Sequence, residues 1–168
     1  MTKAHQMARK QRAEDDLRKA FNLLSYEIEM LRSVADRLAS GTARCIEINN
    51  ALVESFAIHI RVLIEFFYSE QPRCGDVIAE DFFTNPEHWH RVRPPKSEIL
   101  KTAQKRAHKE LAHLTYARLE VSPKQKPWKH GCIREDMDKV IAEFLRVIPK
   151  RLLGAGWDEF KNAQRDGG

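Results

Sequence analysis

At 168 residues, with 42% hydrophobic and 32% charged side chains, the chain has the size and mix of one soluble globular domain, which argues against a disordered or fibrous protein. The net charge of +5 and sequence pI near 9.2 are modest for a nucleic-acid binder. The charge-interrupted first twenty residues and the run "AIHIRVLIEFFY", which holds Arg61 and Glu65, give no signal peptide or membrane span, and the scattered Cys45, Cys74 and Cys132 form no CxxC, so a reducing cytoplasm without a membrane partner is expected.

The first element is a long helix. Leu17, Phe21, Leu24, Ile28, Leu31, Ala35 and Leu38 recur in steps of four and three, which puts them on one stripe. Ser40-Gly41 closes it, because Gly tolerates the left-handed conformation that ends a helix, and Thr42 or a neighbour opens the next. A second helix is expected from about Ala43 to Tyr68, antiparallel to the first because the connection is short. Leu52, Ser55, His59, Val62 and Phe66 share one stripe of it; Val53, Phe56, Ile60, Leu63 and Phe67 share the adjacent one. So wide an apolar face implies cover on more than one side, by further helices or by a second chain. Ser55 and His59 interrupt it one turn apart, within reach of a mutual hydrogen bond.

Between Gln71 and Pro95 the helical period is lost among Pro72, Gly75, Pro86, Pro94 and Pro95, with a short helix expected inside "DVIAEDFF". Two readings of this connection are open: a functional loop, or a structural one that tucks Phe82, Phe83 and Trp89 over the end of the bundle. A third helix starts just after Pro95, turns Ile99, Leu100, Ala103, Ala107, Leu111 and Leu114 inward, and ends near Arg118. After the basic stretch "VSPKQKPWKHG", a fourth carries Met137, Val140, Ile141, Phe144, Leu145 and Ile148 up to Pro149. With no strand alternation, the expected fold is all-α: an antiparallel four-helix bundle with a long central crossover loop. It forms one domain over 1–168 with a core of about 15–150, a charged N-terminal extension and a Gly-rich C-terminal tail.

The positive charge is concentrated from Arg91 to His130, where eleven Lys and Arg face only Glu98, Glu110 and Glu120, so this segment should attract anions. Its candidate nucleic-acid contacts are Trp89, Arg91, Arg93, Lys105, Lys109, Arg118, Lys124, Lys126 and Trp128, the tryptophans stacking bases while the cations follow phosphates. Basic loops that are merely solvated fit the same pattern.

Within "KRAHKELAHLTYAR", Arg106 and His113 project from the same helix face with Glu110 between them, at the rim of the apolar seam. An ordinary Arg106–Glu110 ion pair beside a half-buried His113 accounts for this line. So does chemistry on a phosphodiester: arginine offers a planar fork to phosphate and histidine moves a proton near neutral pH. His108 rotates away from the line, toward solvent or a neighbouring helix.

The long helical hairpin, the Arg and His of "RAHKELAH" and the following "LTYAR" resemble the HEPN superfamily (higher eukaryotes and prokaryotes nucleotide-binding) over residues 15–150. Members are all-α bundles that commonly dimerise and often act as metal-independent ribonucleases. Arg106 and His113 match the long end of the family's Arg-to-His spacing, while Ala107 stands where a polar residue often follows the Arg; His108 is the nearest polar group. The resemblance implies that His113 acts as general acid or base, that Arg106 stabilises transition-state charge and that Glu110 orients His113, with Ser55, His59 and His108 as secondary polar groups. The attacking 2′-hydroxyl would restrict cleavage to RNA and leave cyclic phosphate products, with no cofactor. A homodimer would set two such lines across one groove, and a toxin-antitoxin setting is suggested by the resemblance alone. The alternative is a noncatalytic dimeric module that binds a partner protein or anionic ligand.

No metal is expected. Glu110 and His113 have the spacing used by di-iron bundles, as do Glu87 and His90, but the second pair lies between Pro86 and Pro94, where a regular inward-facing helix is not expected. A zinc site from His88, His90 and Cys74 or Cys132 has no recognised spacing.

Overall fold

A computed structural model describes residues 11–41, 45–110 and 127–153; of residues 109 and 110 it describes the backbone alone. Among the described residues the chain is an all-α helical bundle with five α-helices: α1 Glu14–Ala39, α2 Ile46–Tyr68, α3 Glu87–Val92, α4 Glu98–Glu110 and α5 His130–Val147. Two 3-10 turns accompany them, Ala79–Phe82 ahead of α3 and Lys150–Leu152 after α5. The expected N-terminal extension before residue 11, Thr42, the expected helical stretch from 111 to Arg118 and the Gly-rich tail lie outside the described residues.

Helix α1 opens with Glu14, Asp15 and Asp16, whose charge suits the positive end of the helix dipole. It closes as expected: the Ser40 N–H donates to Asp36 O at 2.9 Å and Gly41 takes φ 61°. Its buried stripe is the expected one from Leu17 to Ala35, with Leu38 only half-buried, and is joined by Val34 and by Ser25, whose hydroxyl donates to Phe21 O at 3.0 Å instead of remaining unpaired in the core. Helix α1 packs on α2 and α5, and α4 packs on the same two helices. Polar ties reinforce the α1–α5 contact, where Arg32 meets Asp138 at 2.7 Å and Arg134 meets Asp36.

Prolines 94 and 95 precede α4 without belonging to it. Ser97 caps the helix instead: its hydroxyl accepts the Leu100 N–H at 3.3 Å while its carbonyl accepts Lys101 N–H at 3.0 Å. Leu100, Ala103 and Ala107 then face inward, as the periodicity predicts, opposite Ile133, Met137, Val140, Ile141 and Phe144 of α5 and its neighbours.

The connection between α2 and α4 tucks its aromatic side chains against the bundle. Phe82, Phe83 and Trp89 are buried, and their rings converge on Phe144 at centroid distances of 5.7, 6.0 and 5.4 Å. Phe66 and Phe67 close on the same ring at 5.5 Å each. Edge-to-face pairs of this kind favour one fixed arrangement over a greasy collapse. The segment around Glu87 and His90 is helical after all, because Asn85 accepts the Glu87 N–H through its side chain at 3.0 Å and starts α3 immediately past Pro86.

Candidate functional site

Helix α4 divides the basic segment between two faces. On one, Gln104 and His108 sit one turn apart and both reach Glu65 Oε1 of α2, at 3.2 and 3.3 Å. Lys96 Nζ donates to Gln104 Oε1 at 3.1 Å and lies 5.3 Å from the Tyr68 ring centroid, which extends this polar seam along the α2–α4 contact. His108 is thus both half exposed and in contact with a neighbouring helix. Lys101 and Lys105, one turn apart, point to solvent.

On the other face Arg106 turns toward the residues that lead into α5. Its guanidinium carbon lies 4.4 Å from the Trp128 ring centroid and its Nη1 donates to Pro127 O at 3.2 Å. Trp128 is buried with its edge toward Phe56 at 6.2 Å, and His130 packs on the same Phe56 at 6.3 Å while its Nδ1 lies 3.1 Å from Trp128 O. The structure therefore brings together two residues that the sequence assigned to separate roles, Arg106 to chemistry and Trp128 to base stacking. Of the proposed catalytic line, the side chain of Glu110 and all of His113 lie outside the described residues, as do Arg118, Lys124, Lys126 and the side chain of Lys109.

Both tryptophans, for which stacking on a base was one of two open readings, are enclosed. Trp89 is fully buried, with its indole N–H donated to Phe67 O at 3.1 Å, and Trp128 is covered by Arg106 and Phe56. Neither ring presents an open face to a base; apolar burial has taken the surface that stacking needs. Arg93 is likewise engaged: its Nη1 donates to Phe67 O at 2.8 Å and its guanidinium carbon stands 4.9 Å from the Tyr68 ring centroid. Arg91 is exposed.

Tyr68 holds the start of the α4 approach. Its hydroxyl donates to Pro94 O at 2.9 Å. Burial, aided by Asp136 and opposed by Arg93, pushes the phenol up to about 12.

The secondary polar pair also resolves differently. His59 Nδ1 lies 2.7 Å from Glu27 Oε2, so its partner comes from α1 and not from Ser55 one turn away on α2. The Tyr26 ring meets His59 edge-on at 6.0 Å. Around this contact the hairpin of α1 and α2 leaves large apolar side chains in the open: Leu23 is 68% exposed, Tyr26 53%, Ile58 55% and Val62 41%. Leu23 and Tyr26 lie one turn apart on α1, and Ile58 and Val62 one turn apart on α2, with Ile48 exposed nearer the start of α2. Of the two apolar stripes expected on α2, all but Val62 are buried or half-buried among the described residues; Ile48 and Ile58 lie on neither stripe.

Sequence reasoning missed Glu27, Glu65 and Glu80 as partners of His59, His108 and His90, since each pair joins different elements. Glu80 did carry a local signal: a carboxylate in the apolar run "VIAEDFF". No three His, Cys, Asp or Glu side chains among the described residues come together as a metal site, and Glu87 faces solvent while His90 approaches Glu80 at 3.4 Å. Among the described residues no helix is long and apolar enough to cross a membrane. Compared with protein-family models, curated proteins and solved structures, the chain matches none.

Proposed function

We propose that the protein is a homodimeric helical interaction module, an antiparallel four-helix bundle of HEPN-like type in which residues 71–97 form the crossover. The observation that carries this reading is the exposed apolar strip of Leu23, Tyr26, Ile58 and Val62 around the His59–Glu27 contact. Contiguous exposed apolar surface on a globular domain marks an interaction site. A second copy suits it as occupant. The strip is apolar, and Glu27, the acid at its centre, is already partnered by His59, so a two-fold axis would not oppose bare like charges. From Ile48 to Val62 the α2 face is about 20 Å long and the hairpin about 20 Å wide, a flat footprint of roughly 400 Å² per copy. That is the size of a small, reversible interface, below the roughly 800 Å² per partner of a standard one. An interface of that size suits weak, reversible association. Sedimentation velocity over about 1 to 200 micromolar should show a monomer–dimer equilibrium, and a monomer throughout that range contradicts the proposal.

A second reading, metal-independent RNA cleavage by Arg106, Glu110 and His113, draws support from the way Trp128 and Pro127 hold the Arg106 guanidinium. Held charge at a defined point is what transition-state stabilisation requires. On this reading His113→Ala loses roughly 10²- to 10⁴-fold in cleavage rate with RNA affinity retained. RNA left intact by the wild-type dimer removes the second reading and leaves the first standing.

A further inference from the structure

Among the described residues Glu80 is the one carboxylate counted as buried, and its position is unusual for a surface connection. It sits in the 3-10 turn Ala79–Phe82 with 6% of its surface exposed, flanked by the buried Ile78, Ala79 and Phe82. Neither carboxylate oxygen meets another residue's side chain at hydrogen-bond geometry. Two basic side chains of α3 and its cap approach it, His90 Nε2 at 3.4 Å and Arg93 Nη1 at 3.7 Å from Oε1. Arg93 is committed elsewhere, because the same Nη1 donates to Phe67 O at 2.8 Å. The neighbouring Asp81 accepts the Ile78 N–H at 3.2 Å. A carboxylate buried with so few close partners costs more than the neutral acid in the same place.

We infer that residues 79–93 form a proton-controlled strap, in which protonation of Glu80 seats the 3-10 turn and α3 on the end of the bundle and its ionisation loosens them. What the strap covers is the aromatic cluster: Phe82 and Trp89 rest on Phe144 and Phe67, so loosening uncovers apolar surface at one end of the bundle. The charged groups that face Glu80 are His90 and Arg93 from α3 and its cap and Asp81 from its own turn. The end of α2 contributes Phe67 O and the Tyr68 phenol, which act on Arg93, and α5 contributes the apolar Phe144. Burial raises the Glu80 carboxyl above its ordinary 4.5, against the lowering by its own backbone N–H, His90 and Arg93. With a folded value above the unfolded one, the stabilisation is complete below the ordinary carboxylate range. It is lost as pH rises through the raised folded value.

Hydrogen exchange read by mass spectrometry, corrected for intrinsic rates, tests this on the full chain at about pH 5 and pH 8. Amides of residues 79–93 in the wild type should lose protection at the higher pH relative to those of α1. In Glu80→Gln, which keeps the shape without the charge, the protection should stay high and pH-independent. Equal wild-type protection at both pH values overturns the inference, and so does a Gln variant whose strap opens at both. A His90→Ala variant provides a second reading, since His90 lowers the Glu80 carboxyl and without it the loss should move to higher pH; an unmoved midpoint counts against the strap.

Discussion

The guanidinium of Arg106 and the indole of Trp128 face each other at 4.4 Å, and this contact joins the middle of α4 to the lead-in of α5. The contact ties the two segments together whichever function Arg106 serves. A guanidinium on a tryptophan face contributes about 0.5–1 kcal/mol where it is partly exposed.

A double-mutant cycle should recover that coupling. Arg106→Ala and Trp128→Phe, each measured by urea unfolding, should be non-additive by about 0.5–1 kcal/mol. Additive losses would mean that the two side chains merely adjoin.

Phe144 is where α2, α3, the first 3-10 turn and α5 meet. Phe144→Ala should cost about 3–5 kcal/mol, the upper range for a core substitution, because five aromatic neighbours cannot all collapse into the cavity. Phe144→Leu should recover most of the loss. Thermal melts that place the Ala variant within a degree or two of wild type would show that the cluster is not packed as described.

Alkaline pH reports on Tyr68. Its phenol has a folded value of about 12, raised from 10.0 chiefly by burial. The neutral form therefore contributes stability that is complete below the unfolded value and fades as pH climbs through the folded one. Circular dichroism in alkaline buffers should show wild type unfolding more steeply with pH than Tyr68→Phe. Parallel curves would assign the alkaline transition to other groups.

The parts of the fold that were legible in the sequence are those governed by local period. Leu17 to Ala35 and Met137 to Ile148 repeat at helical spacing, and each stripe is buried as the pattern requires. The Gly41 stop was legible for the same reason, since one residue type fits the left-handed turn. Trp89 was not. Its sequence context suits either a stacking platform or a tucked anchor, and the choice was made by Phe144, far along the chain. His59 and Ser55 looked like partners because helical spacing counts neighbours within one helix, whereas Glu27 arrives from another. Of the strip of Leu23, Tyr26, Ile58 and Val62, only Val62 belonged to a stripe legible in the sequence; the rest emerged once the two helices were placed together.

The His59–Glu27 contact offers a control for the strip. Glu27→Gln removes the charge while keeping a hydrogen-bonding group at 2.7 Å from the ring, so folding stability should fall by about 1–2 kcal/mol. Self-association should persist, because the apolar rim is untouched. Loss of the dimer with the fold intact would shift the association from the apolar side chains to this pair.

The central claim is that two copies meet through the α1–α2 strip, and sedimentation equilibrium on Leu23→Glu with Val62→Glu tests it most directly. Both side chains are exposed in the monomer, at 68% and 41%, so the double variant should keep wild-type helical content and thermal stability within about a kcal/mol. The account predicts a variant that is monomeric at concentrations where wild type is mostly dimer, a weakening of at least tenfold. A variant that dimerises as tightly as wild type places the interface elsewhere and contradicts the account.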